Sequence, residues 1–219
     1  VKPYYERDGI VIYHGDCREV LPSLGPVEAV VTDPPWPVPV GSEMMVGNDN
    51  AGELLATVAK WSATQAQRLV VHVSVATDPR WLSNVPATLP FLCVRWLDYA
   101  RPAYHGRLLS ADAAYIFGSY PPASRGHILP GRTMAVDPTD KRGREIGDHP
   151  SPRKLEHASW LIRWYGGETN LDPLCGSGTT LLAAKNAGRR AIGIEIEERY
   201  CEIAAKRLAQ RSMFAEATP

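Results

Sequence analysis

Two short stretches of this 219-residue chain hold residue types suited to chemistry. The first is Asp33-Pro34-Pro35-Trp36, which ends the apolar run "AVVT". A surface turn needs one proline at most, and a solvent-facing tip has little use for a tryptophan. Two prolines stiffen the backbone, so this tip presents a carboxylate and a large aromatic in a fixed arrangement. The second stretch, "NLDPLCGSGTTLLAAKNAGRRAIGIEIEERY", reads strand, glycine loop, helix, strand, acid. Gly176 and Gly178 let a ligand approach the backbone closely, and the following helix offers its N-terminal amides.

The second stretch also says which ligand is suited. Glu195 closes a strand 17 residues after Gly178, where a carboxylate accepts the two hydroxyls of a ribose. A dinucleotide fold would place a third glycine at 181, but Leu181 stands there. Asp172, at the tip of the preceding strand, would repel a pyrophosphate and attract an ammonium group. S-adenosylmethionine carries an ammonium, a ribose and no phosphate, and so meets these requirements.

The elements that must position these groups alternate. Apolar runs "GIVIYHG", "AVVTD", "RLVVHVS", "FLCVRWLDY", "AAYIFGS", "TNLDPL" and "RAIGIEI" predict strands, and amphipathic stretches between many of them predict helices, an α/β pattern. Asn50 with Glu53 begins a helix over "AGELLATVAKWSATQAQ", and Asp78-Pro79 and Ser151-Pro152 are further starts. Residues 100–152 differ. They are rich in proline, glycine and arginine, and Ala113–Ser119 is their one convincing strand. A long irregular segment of this kind is usually functional or disordered.

Composition narrows the class. A hydrophobic content of 44% with 22% charged residues is globular. No run is apolar enough to span a membrane, and "VKPYYERDG" is no signal peptide. Cys17, Cys93, Cys175 and Cys201 are far apart, which fits reduced thiols of a cytoplasmic protein; no metal site is expected. Net charge is zero, yet Lys and Arg are outnumbered 4 to 9 in residues 1–60 and exceed acids 10 to 6 in residues 95–154. The basic segment is either a solvated surface or one that contacts phosphates.

Taken together, Asp-Pro-Pro-Trp after a strand and Asp-Pro-Leu-Cys-Gly-Ser-Gly-Thr-Thr far downstream resemble the amino-group (N6-adenine and N4-cytosine) DNA methyltransferases. With the catalytic motif first and the cofactor motif last, the chain is similar to their permuted β group. The resemblance covers most of the chain, from "HGDCREVLPSLGPVEAVVTDPPW" to "NAGRRAIGIEIEERYCEIAAKRL". It implies a Rossmann-like methyltransferase fold with a seven-stranded, mostly parallel sheet in permuted order. It implies a single domain over 1–219, with a small embedded target-recognition region at about 100–150.

It further implies that S-adenosylmethionine sits among Asp16, Asp33, Asp172, Gly176, Ser177, Gly178, Thr179 and Glu195, with Asp33, Pro34, Pro35 and Trp36 catalytic. The unpermuted successor of the last helix would be "GIVIYHGD", which places Asp16 beside the cofactor's adenine. An adenine N6 is a poor nucleophile because its lone pair is delocalised. The Asp33 carboxylate and the Pro34 carbonyl, aimed at the two amino hydrogens, would draw the nitrogen toward tetrahedral geometry. Trp36 would stack on a base turned out of a double helix. The methyl passes directly to nitrogen, with no covalent enzyme intermediate.

The expected activity is therefore N6-adenine methylation of double-stranded DNA, within restriction–modification or phage modification. The alternatives are N4-cytosine in DNA, N6-adenosine in RNA, and a non-catalytic nucleic-acid-binding relative. Arg101, Arg107, Arg125, Arg132, Lys141, Arg142 and Arg144 are expected on the DNA-facing surface, unless a homodimer buries part of it, and Pro37–Asn48 is expected to close over the base. One departure stands out. The family's His-Pro-Thr-x-Lys-Pro corresponds here to His149-Pro150-Ser151-Pro152-Arg153-Lys154, which puts Arg153 at the lysine position. Trp61, Trp160 and Trp164 are expected in the core, and His72 is expected to be satisfied locally.

Overall fold

Runs of β-branched and aliphatic residues form the centre of the molecule, and the computed structural model describes residues 1–36, 51–75, 77–100, 108–121, 129–136 and 153–210. The strands in chain order are β1 (Tyr5–Arg7), β2 (Ile10–His14), β3 (Val27–Thr32), β4 (Ala66–Ser74), β5 (Phe91–Ala100), β6 (Leu108–Gly118), β7 (Arg132–Val136), β8 (Thr169–Asp172) and β9 (Arg190–Glu195). The helices are α1 (Cys17–Val20), α2 (Ala51–Gln65), α3 (Leu155–Tyr165), α4 (Thr179–Asn186) and α5 (Glu198–Ala209). All nine strands join one sheet in the order β1-β2-β9-β8-β3-β4-β6-β5-β7.

Side chains that alternate along the central strands feed two cores. Ala29, Val31 and Val70 pack with Leu161, Ile162 and Tyr165 of α3, Leu181 of α4 and Leu208 of α5. Val30, Leu69, Val71 and Val73 pack on the other face with Val20 of α1 and Leu55 and Val58 of α2. Because both faces are covered, the inner strands read as near-continuous apolar runs. Trp160 and Trp164 pack against the first core and Trp61 against the second, as expected.

The permutation is visible in the pairing. β2 lies parallel to β9, with Ile12 opposite Gly193 and His14 opposite Glu195. The N-terminal strand thus fills the place that follows the last helix. Seven strands were expected, and among the described residues the sheet has nine. β1 is a three-residue edge strand, turned back on β2 through Asp8 and Gly9, both at positive φ (52° and 75°). That is the Asp-Gly hairpin signal, obscured by the polarity of "YER". β7 lies parallel to β5 and was hidden in the irregular composition of residues 100–152. Part of the anticipated recognition segment, β7 and the start of β6, is therefore built into the sheet. α3 begins at Leu155 with Lys154 at its N-cap, and the expected starts at Ser151 and Asn50 lie outside the described residues.

Candidate active site

Strand order reverses between β8 and β3. From β8 the chain proceeds outward through β9, and from β3 it proceeds the other way through β4. The crevice beyond the carboxyl ends of two such strands is where open α/β sheets take ligands. Both acidic tips stand there, since Val30 is level with Leu171 and the strands end in Thr32-Asp33 and Asp172. Asp172 is buried and accepts the Leu174 amide at 3.2 Å. Burial pushes its carboxyl up to about 7, with the negative charge of Asp33 adding to the rise. The hydroxyls of Thr180 and of the buried Thr32 beside it oppose that rise.

The glycine loop lies next to these tips. Gly178 caps α4 in the left-handed region (φ 77°), and a Cβ there would stand 2.8 Å from the Ala204 Cβ. Leu181, the residue that departs from a dinucleotide fold, fits because Gly193 has no side chain: a Cβ at 193 would lie 2.6 Å from Leu181 Cδ1. Glu195 is nearly buried at the tip of β9, and burial raises its carboxyl above the usual range. Its Oε2 accepts the Gly176 amide and its Oε1 the Glu197 amide, each at 2.8 Å. The Ile196 amide also bonds this carboxylate, so about one of its roughly four acceptor positions remains for a ligand.

Ser177 and Thr179 hold the loop. Both side chains are buried, and Arg207 of α5 donates to Ser177 Oγ (3.1 Å), Thr179 Oγ1 (3.2 Å) and the Ser177 carbonyl. Asp16 sits one strand further out, since Gly15 donates its amide to the Glu195 carbonyl at 2.9 Å. Its carboxylate caps α1 through the Arg18 amide and pairs with the Arg18 guanidinium, which holds it below the ordinary carboxylate range.

The Asp-Pro-Pro-Trp tip meets a residue 120 positions away in sequence. Arg153, just before α3, donates through Nε to Asp33 Oδ2 and through Nη2 to Asp33 Oδ1 (3.1 Å). The same guanidinium lies over the Trp36 ring, 4.4 Å from its centroid, and reaches Asp112 Oδ2 with Nη1 at 3.4 Å. Burial opposes the charge of Arg153, but Asp33 and Asp112 outweigh it and keep the guanidinium's pKa above normal. Asp112 is buried. Burial alone would raise its carboxyl, yet hydrogen bonds from His72 Nε2 (2.9 Å), Tyr99 Oη (2.7 Å) and Arg153 keep it low. His72 is thus satisfied locally, as expected. Behind it His157 is buried, its pKa depressed by burial to about 4, with Nε2 3.0 Å from the Asp98 carbonyl.

The chain is similar to known proteins. Residues 135–206 match the family described as DNA methylase, of the N6/N4 type. YubD of Escherichia coli (strain K12) is 53% identical over 214 residues, covering 91% of each chain. The chain belongs to the N6/N4 DNA methylase family.

Two solved structures share the fold. The M1.HpyAVI–SAM complex superposes with a TM-score of 0.67 at 24% identity, covering 92% of this chain and all of that one. The PvuII DNA methyltransferase, cytosine-N4-specific, gives 0.69 at 17%, covering 97% and 90%. In this methylase the structure brings Asp33, Trp36, Asp172, the glycine loop and Glu195 to one edge of the sheet. Asp112, Tyr99 and Arg207 were missed by the sequence reading, because each acts through a partner distant in the chain. Of the arginines and lysine expected on the basic surface, Arg132 is described: it is exposed on β7, 3.6 Å from Asp98. The others, and Pro37–Asn48, lie outside the described residues. Among the described residues no helix is long and apolar enough to cross a membrane.

Proposed function

We propose that this methylase transfers a methyl group from S-adenosylmethionine to the exocyclic N6 of an adenine turned out of double-stranded DNA. The observation that carries the reading is the pairing of an acceptor, Asp33, with a stacking ring, Trp36, beside the buried acid Asp172 at the switch point of the sheet.

The residues present fit the cofactor. A buried carboxyl raised to about 7 at the tip of β8 suits an ammonium group, which would be attracted to Asp172. The remaining acceptor capacity of Glu195 suits a ribose hydroxyl, beside the glycine loop whose Gly176 amide it holds. When bound, S-adenosylmethionine supplies an electrophilic methyl on a sulfonium. The chain's own contribution is to hold the amino group. Asp33 accepts one amino hydrogen and the Pro34 carbonyl the other, so the nitrogen lone pair is freed from the ring. Pro34 and Pro35 fix those acceptors in advance, and Trp36 holds the base plane. An aspartate rather than a serine at 33 favours adenine over cytosine.

The test is direct. Purified protein with tritiated S-adenosylmethionine and unmethylated DNA should place label in N6-methyldeoxyadenosine after digestion to nucleosides. Label in N4-methyldeoxycytidine would reassign the base, and label only in RNA would reassign the nucleic acid.

A further inference from the structure

Arg153 makes two contacts that the reading above gives to the target base. Two of its planar N–H groups point at the two oxygens of Asp33 and so occupy the acceptor that an amino hydrogen of the base would need. Its flat cation lies over Trp36, 4.4 Å from the ring centroid, where a base would stack. Trp36 is only 8% exposed, and the Arg153 side chain is 17% exposed. A base and this guanidinium cannot hold the same acceptor and the same ring face together.

We infer that Arg153 is a stand-in for the target base, keeping Asp33 and Trp36 occupied until an everted nucleotide displaces it. The inference rests on the reading of Asp33 and Trp36 as the base site. The displaced charge has a second seat within reach. Asp112 Oδ2 lies 3.4 Å from Nη1 and is held in place by His72 and Tyr99. A short swing toward Asp112 keeps the cation paired while Asp33 becomes free, so opening does not strand a buried charge. A lysine here would still neutralise both carboxylates, but it would offer neither a planar fork to Asp33 nor a flat face to Trp36. Arg153 is in this sense a positioning residue that sets the threshold for base entry. A competitor that fills a site most of the time lowers apparent affinity by the fraction of time the site is free.

The experiment titrates full-length protein, in saturating S-adenosylhomocysteine, into 2-aminopurine 2′-deoxyriboside. Quenching of the nucleoside's fluorescence by stacking is the readout. Arg153→Met and Arg153→Lys should reach half-quenching at roughly tenfold lower protein concentration than the parent. Arg153→Lys keeps the charge between Asp33 and Asp112, so it serves if Arg153→Met does not fold. A merely structural Arg153 would act in the opposite direction, since its loss would loosen the site and weaken binding. Variants that bind the nucleoside no better than the parent, or no quenching by any of the three, would overturn the inference. Trp36→Ala in the Arg153→Lys background separates the two claims, because 2-aminopurine has no N6 amino group for Asp33 to hold and reads stacking alone. If it abolishes the quenching, the base site stands whatever Arg153 does. If it leaves the quenching intact, the base-site reading fails, and the inference about Arg153 falls with it.

Discussion

The buried carboxyl of Asp172 should make cofactor affinity depend on pH in one direction. Burial raises its pKa in the folded chain to about 7, against 3.8 for an ordinary aspartate, so the ligand-free protein keeps this proton through mildly acidic solution. An ammonium ligand needs the ionised form. Binding therefore releases a proton below pH 7, and apparent Kd scales as one plus ten to the power of seven minus pH. That factor is about 100 at pH 5 and about 2 at pH 7, so S-adenosylhomocysteine should bind about fiftyfold more weakly at pH 5. The ligand-free fold responds in the opposite sense. A carboxyl whose pKa is raised on folding destabilises the fold as pH climbs from 3.8 toward 7, by about 4 kcal/mol at the upper end. Calorimetric titration in buffers of different ionisation enthalpy reads both affinity and proton release. Asp172→Asn should flatten the pH profile and weaken binding at pH 7 and above. A parent whose affinity is constant from pH 5 to 7, or an Asp172→Asn variant with the parent's slope, would refute the reasoning.

Glu195→Ala removes an acceptor for two backbone amides as well as for the ribose, and calorimetry should show S-adenosylhomocysteine affinity reduced by roughly 1.5–3 kcal/mol. Arg207→Ala releases the Ser177 and Thr179 contacts, so cofactor binding should weaken by roughly tenfold, a loss comparable to one charged hydrogen bond, with a lowered melting temperature. Trp36→Ala should weaken capture of an extrahelical base by roughly 1–3 kcal/mol, measured with oligonucleotides carrying 2-aminopurine, while cofactor affinity holds. DNA affinity should fall with salt by a log–log slope of roughly 0.9 per phosphate contact, and reversing Lys141, Arg142 and Arg144 together should flatten it; an unchanged slope would place the DNA elsewhere.

What could be read from the sequence follows the range of the forces involved. The central strands announce themselves because a strand covered on both faces must be nearly continuously apolar, as Ala29–Val31 and Leu69–Val71 are. The adjacency of β2 and β9 was legible because the motif order forces the N-terminal strand to complete the sheet. β1 and β7 were not, since short edge strands bury too little to impose a pattern. The acidic tips and glycine loop were legible because each is a local motif. The partners that shape them were not: Arg153 stands 120 residues from Asp33, Asp112 is 40 from His72, and Arg207 is 30 from Ser177. The room made by Gly193 for Leu181 likewise exists only once helix and strand are packed. Arg153 shows the boundary well. The motif marked it as a lysine-to-arginine departure, but only the fold reveals that a guanidinium there covers Trp36 and saturates Asp33.

The central claim is that the Asp33–Trp36 tip holds the amino group that is methylated. Single-molecule sequencing of DNA from cells expressing either the parent or Asp33→Ala tests it most directly, with cofactor affinity of the purified variant confirmed to lie within about tenfold of the parent, since Asp33 acts mainly in the transition state. DNA from cells with the parent should carry N6-methyladenine in a defined sequence context, and DNA from cells with the variant should carry none. Modification that persists in Asp33→Ala, or that falls on cytosine in the parent, would contradict it.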